Sequence, residues 1–204
     1  MKKILRLLLV IFLFPCCVFS SKALQDFSRE NLIDQLKLNK REGLKNVYQK
    51  SARLGYDKTV NEFIQDLLFN ADQFSDEAKI AASVPEFQAD ALVYFSGMYM
   101  NGLTKKSEKQ ARLLIKKIIE NKKELQGLLL ISLGNFRNEE DIMYLYKYAS
   151  SNMEVDYYPG IIGLRKMCLD QARALLSKIY ENSLRNVHKR NYIKDTEEFE
   201  KFCK

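Results

Sequence analysis

At 204 residues, with 47% hydrophobic and 29% charged side chains, the chain is long enough for one domain with a substantial core and short for several. Three prolines, no tryptophan and abundant Leu, Ile, Lys and Glu favour helices over a sheet protein. The net charge of +7 is concentrated at the N-terminus, which weakens the case for a dedicated nucleic-acid binder.

The first element is a basic start, Met1-Lys2-Lys3, followed after Arg6 by an apolar run from Leu7 to Phe19. Thirteen residues are too few to cross a bilayer as a helix, which takes roughly 20. With Ser21-Lys22-Ala23 after it, the pattern is that of a secretory signal, residues 1–23, cleaved after Ala23. A lipoprotein anchored through Cys16 or Cys17 is the alternative, but Leu13-Phe14-Pro15 before the pair lacks the small residues such a signal carries. Cleavage removes Lys2, Lys3, Arg6 and Lys22, so 29 of the 33 basic residues remain against 26 acidic ones, a net charge of +3. The absence of any Asn-x-Ser/Thr acceptor favours a bacterial periplasm or envelope over a eukaryotic secretory route. Only Cys168 and Cys203 survive cleavage. Their positions favour a buried thiol in a helix and a loose one in a tail, with a disulfide as the alternative.

Residues 24–204 carry no linker and read as a single helical domain. Between Ser107 and Lys123, Ala111, Leu114, Ile115, Ile118 and Ile119 fall along one side of a helix. Ser107 and Gln110 have capping-box spacing at its start. Asn138 before Glu139-Glu140-Asp141 predicts a second cap, and Asp156 a third, with Pro159 in that helix's first turn.

An internal similarity runs through these helices. Gln110-Ala111-Arg112 to Asn121 echoes Gln171-Ala172-Arg173 to Asn182 at an offset of 61 residues. Taking Ser51, Ala81, Ile118, Ala149 and Ile179 as equivalent gives steps of 30, 37, 31 and 30. Such periods with helical patterning imply stacked helical hairpins that bury their apolar faces on one another.

Asp90 to Gly102, with Tyr99 and Gly102 at its end, resembles the first helix and turn of a Sel-one-like repeat, a relative of the tetratricopeptide repeat. Tyr48, Lys50, Ser51, Ala52 and Gly55 resemble the end of that repeat's second helix. Ile118-Ile119 and Ile179-Tyr180 depart from the small pair expected there, as does Thr104 from a second turn glycine. The resemblance implies an all-α fold, an α-solenoid of about five stacked hairpins over residues 28–184, with 186–204 as a C-terminal capping segment. HEAT-type hairpins at Leu133-Gly134 and Gly163-Leu164 are the structural alternative.

No P-loop, Gly-x-Ser-x-Gly elbow or His-Glu-x-x-His helix occurs, and no Cys-x-x-Cys pair. His188, the sole histidine, lies in a charged stretch and reads as exposed. The expectation is therefore no catalytic residue, no metal and no cofactor. Two basic groups, Lys105 to Lys123 and Arg185 to Lys194, read as solubilising helix faces, leaving membrane contact only through lipidation or a basic surface. Tyr144, Tyr146 and Tyr148 alternate along one helix and cannot share a face, and Tyr157 and Tyr158 open the next. Exposed members of this set suit a peptide-binding hollow. The sequence thus points to an exported, non-catalytic adaptor for a protein or peptide partner, with no nucleic acid. An envelope hydrolase acting on polysaccharide or peptide, or a secreted effector, is the alternative.

Overall fold

The computed structural model describes residues 27–194 and Cys203. The signal-like segment 1–23, with Cys16 and Cys17, lies outside the described residues, as does Glu197-Glu198. The protein is all-α. Eleven helices follow one another without a strand among the described residues: α1 (Arg29–Lys37), α2 (Arg41–Arg53), α3 (Lys58–Phe69), α4 (Asp76–Ala82), α5 (Pro85–Met100), α6 (Glu108–Asn121), α7 (Gln126–Gly134), α8 (Ile142–Ala149), α9 (Glu154–Met167), α10 (Asp170–Asn182) and α11 (Val187–Lys194).

The helix ends follow from short polar and glycine signals. Ser28 accepts from the Asn31 amide at 3.2 Å, and Asp57 from Thr59 at 2.9 Å, so α1 and α3 begin on capped donors. Pro85 opens α5, where its missing N–H costs nothing. Gly55 (φ 94°) and Gly102 (φ 71°) end α2 and α5 in the left-handed region. In each the two following amides turn back: Gly55 to Ala52 at 3.3 Å and Tyr56 to Ser51 at 2.8 Å, Gly102 to Tyr99 at 2.9 Å and Leu103 to Met98 at 3.0 Å.

Two expected caps are corrected. Ser107 precedes α6 but sits at φ 60°, and its hydroxyl caps nothing, because a side-chain cap needs the extended backbone that swings the oxygen over the first turn. Asp156 lies inside α9 rather than before it, and Pro159 is the sixth residue of that helix, not in its first turn. The Asp156 carboxylate instead accepts from Ser151 Oγ at 3.0 Å and Gln126 Nε2 at 2.8 Å, tying the start of α9 to the start of α7. Asn138 does cap, accepting from the Glu140 amide at 3.1 Å in the short 3-10 turn Glu139–Asp141.

Packing follows a simple rule along most of the chain. Each odd-numbered helix lies against the odd-numbered helix two places on, from α1 and α3 through α5, α7 and α9 to α11. The even-numbered helices pack against these, and α8 also meets α10. At the N-terminal end α1 reaches α4 and α2 reaches α5, which departs from strict stacking. Residues 51, 81, 118, 149 and 179 fall one each in α2, α4, α6, α8 and α10, always within the last four residues. Ala111 and Ala172, 61 residues apart, are both fully buried, as are the matched Ile118 and Ile179 nearly so. Apolar side chains from Phe27 to Ile193 join in one connected core.

The tightest approach is where α9 meets α7 and α8. A Cβ on Gly134 would run into the Gly163 carbonyl, one on Gly160 into the Ala149 backbone, and one on Gly163 would sit 2.7 Å from the Leu130 carbonyl oxygen. Backbone atoms cannot rotate away as a flexible side chain does. Gly163→Ala should therefore part α7 from α9 and lower stability by about 1–3 kcal/mol in a urea titration. A midpoint equal to that of the natural protein would show the seam to be looser than described.

Candidate functional site

The most strongly charged buried group in the fold is built on α6. Arg112 is 5% exposed and Asp141 fully buried. Arg112 grips Asp141 with Nε at 2.5 Å and Nη2 at 3.1 Å, reaches Glu140 at 2.9 Å and lies 3.4 Å from Glu108. Lys116, one turn on, meets the same Asp141 at 2.5 Å. Glu108 also accepts from Tyr99 Oη and Asn138 Nδ2, each at 2.9 Å. Burial alone pulls the Arg112 guanidinium down, but its bonds to Asp141 and Glu140 hold it well above its ordinary value. All three carboxylates are engaged by Arg112, and Asp141 has no solvent-facing surface, whereas Glu140 is largely exposed. The cluster pins α6 to the turn that starts α8.

Two smaller polar groups sit on α5. Asp90 receives Arg41 in a two-pronged pair, 2.6 and 3.0 Å. Asn61 donates from Nδ2 to the Tyr56 carbonyl at 3.1 Å, which turns Oδ1 toward Tyr94 Oη, 2.7 Å away. Tyr94 has one proton and gives it there, so the Ser51 hydroxyl donates to Tyr94 at 2.6 Å while accepting from the Asp57 amide at 2.8 Å. A third thread crosses the odd-numbered helices: Lys166 donates to Asn135 at 3.0 Å and Asn135 to Ser96 at 3.0 Å. Burial lowers the affinity of the Lys166 amine for its proton.

The basic stretches do not form blocks. Lys105, Lys106, Lys109, Lys117 and Lys123 are exposed, whereas Arg112 and Lys116 are spent on the ion cluster and Lys122 approaches Glu86 and Glu124, each at 3.8 Å. In the second group Arg185 is exposed, Lys189 is buried with Nζ on the Ser151 carbonyl at 2.7 Å, and Arg190 donates to Tyr180 Oη at 2.7 Å. His188 is exposed on α11. Tyr144 and Tyr148 stack at 5.4 Å, both half-buried, with Lys116 Nζ 5.3 Å from the Tyr144 ring centre. Tyr146 is half-buried, Tyr157 buried, and Tyr158 41% exposed. Tyr158 meets Tyr192 of α11 edge-on at 4.7 Å, a contact between residues 34 apart that no local pattern signals.

The reading of Cys168 and Cys203 as unpaired is corrected: they form a disulfide, with Cα atoms 5.4 Å apart. Cys168 is not inside a helix but caps the end of α9 at φ 55°, half-buried. The two cysteines left over by the expected signal cleavage were the available signal. Joining residues 35 apart constrains the unfolded chain by about 4 kcal/mol in the chain-entropy picture.

Among the described residues no three His, Cys, Asp or Glu side chains converge as a metal site would require, and no helix is long and apolar enough to cross a membrane. Comparison with protein-family models, with curated proteins and with solved structures finds no match to this chain.

Two measurements test the polar architecture. Asp141→Ala leaves Arg112 buried with only Glu108 and Glu140, so it should destabilise by about 3 kcal/mol, the lower end for a broken buried pair. The double change Arg112→Met with Asp141→Leu should recover much of that loss, and a double mutant as unstable as the single would refute the ion-pair account. The second concerns alkaline pH. Burial pushes the Tyr48, Tyr94 and Tyr144 phenols up from the ordinary 10.0. A raised phenol contributes stability that is complete below pH 10 and is lost as pH rises past it. Lys166 and Lys189, both lowered by burial from 10.5, act oppositely, their penalty easing as pH climbs toward 10.5. The tyrosine shifts are the larger, so the melting temperature should fall steeply above pH 10 as phenolate absorbance at 295 nm appears. A melting temperature flat to pH 11 would contradict this.

Proposed function

We propose that the chain is an exported helical-repeat protein, a short solenoid of stacked hairpins, that holds a protein or peptide partner on its row of odd-numbered helices. One observation carries the reading: five positions spaced 30 to 37 residues apart in the sequence occupy the ends of alternate helices, while the helices between them pack in one row. Such a row offers a long face built from many short elements, a geometry suited to an extended ligand rather than to small-molecule chemistry. On that row Leu128 of α7 and Tyr158 of α9 are exposed, apolar or aromatic, and sit on helices in direct contact.

Export rests on the basic start and the 13-residue apolar run, and the Cys168–Cys203 bond agrees with an oxidising compartment. The Sel-one-like resemblance around Tyr99 and Gly102 supports the same picture, with Gly102 left-handed at the end of α5. A lipid on Cys16 or Cys17 would place the protein at a membrane surface without altering the row.

Mass spectrometry of the protein recovered from the envelope should find a mature chain starting at Leu24. A diacylglyceryl adduct on Cys16 or Cys17 would replace soluble export with anchoring, and an uncleaved Met1 start would end the export reading. For the partner, a C-terminally tagged chain is crosslinked in its native envelope and captured. A reproducible protein should come down with the natural chain and be lost from a Leu128→Glu, Tyr158→Glu variant that keeps its helical circular dichroism. Capture unaffected by that variant would move the binding face elsewhere. No specific protein at all, with cleavage of an envelope polymer by the purified chain, would overturn the adaptor reading.

A further inference from the structure

Helix α11 has the least support of any element in the row. It is eight residues long, well under the length at which an isolated helix holds together in water. Among its described side chains only Lys189 and Ile193 are buried. Its attachments are mostly polar and only partly buried. Lys189 reaches the Ser151 carbonyl at 2.7 Å, Tyr192 Oη reaches Glu154 at 3.2 Å, and Arg165 donates to the Tyr192 carbonyl at 3.1 Å. The Tyr192 ring covers Tyr158 at 4.7 Å and approaches Tyr157 at 6.4 Å. These contacts end on α9 or on the turn that leads into it, and Arg190 adds one bond to Tyr180 of α10 at 2.7 Å. Hydrogen bonds of this kind each add only a modest net stabilisation, a small total for holding a terminal helix.

The disulfide changes the balance. Cys203 lies nine residues beyond the end of α11, and its partner Cys168 caps α9, the same helix on which α11 rests. The chain on either side of α11 is thus fixed, by α10 before it and by a covalent bond after it. Without the bond α11 is a terminal helix held from one side, the arrangement in which fraying concentrates. Both cysteines are half-buried rather than sealed in the core.

We propose that the Cys168–Cys203 bond is a redox latch on α11: closed, it holds α11 over the tyrosine face of α9, and opened by a dithiol reductant it lets α11 leave and uncovers the buried Tyr157. One thiolate of the reductant attacks a sulfur of the bond and displaces the other as thiolate. The reductant's second thiolate then resolves the mixed disulfide. Two electrons and two protons pass to Cys168 and Cys203 as thiols, and the reductant departs as its own disulfide. The latch acts whether or not the row binds a partner.

Hydrogen–deuterium exchange on the full mature chain tests it, comparing the oxidised protein with protein reduced by dithiothreitol and alkylated at both cysteines. Amides of 187–194 should exchange about tenfold faster or more in the reduced form, while those of α1 to α8 stay unchanged. Cys203→Ser should give the same local pattern with no reductant present, separating loss of the bond from effects of alkylation. Unchanged protection at 187–194 in both would refute the latch. Loss of protection throughout α7 to α10 would also overturn it, marking the bond as a staple of the whole fold.

Discussion

Helix α5 is the member on which the others are hung. Phe87, Ala89, Ala91, Leu92, Tyr94, Phe95 and Met98 are buried on it, a spread that leaves no broad polar face. It packs against α2, α3 and α4 on one side and α6 and α7 on the other, so the N-terminal group of helices and the regular row meet through it. Three polar residues along it, Asp90, Tyr94 and Ser96, reach three neighbours between them: α2 through Arg41 and Ser51, α3 through Asn61, and Asn135 after α7. A helix buried all round can rotate about its own axis at little cost to apolar burial. Directional bonds to three neighbours remove that freedom.

The buried charges also tie elements distant in sequence to one another. Asp141 is held by both Arg112 and Lys116 of α6, and Glu108 of the same helix meets Arg112, so the start of α8 is joined to α6 through ion pairs rather than apolar contact alone. Two cations on one fully buried carboxylate offset the cost of burying it, and removing either would leave charge uncompensated.

How far the sequence foretold this depends on which force set each feature. Apolar periodicity is a burial signal, and it located Ala111, Ile115, Ile118 and Ile119 on the inner face of α6 without help from the rest of the chain. Repeat spacing likewise placed equivalent residues in alternate helices. Where a partner distant in sequence decides the outcome, the pattern was silent. Gln110-Ala111-Arg112 and Gln171-Ala172-Arg173 are the same tripeptide, but Arg112 finds Asp141 and becomes buried while Arg173 is exposed beside Asp170. Ser107 failed as a cap because its backbone is left-handed, which no spacing rule reports. The disulfide was misread for a similar reason: helical periodicity placed Cys168 inside a helix, when it is the residue at which α9 stops.

The glycines of the α7–α9 seam carry a consequence for how the sequence can change length. Gly160 faces Ala149 and Gly163 faces Leu130, so the two fix α9 axially against two different helices at once. One residue inserted between them would turn everything beyond by about 100° and bring a side-chain-bearing residue to face the Leu130 carbonyl. Gly102, between α5 and α6, has open space around it. A change in chain length is therefore expected to cost far less beside Gly102 than between residues 160 and 163, where it would break the register of α9 against both neighbours.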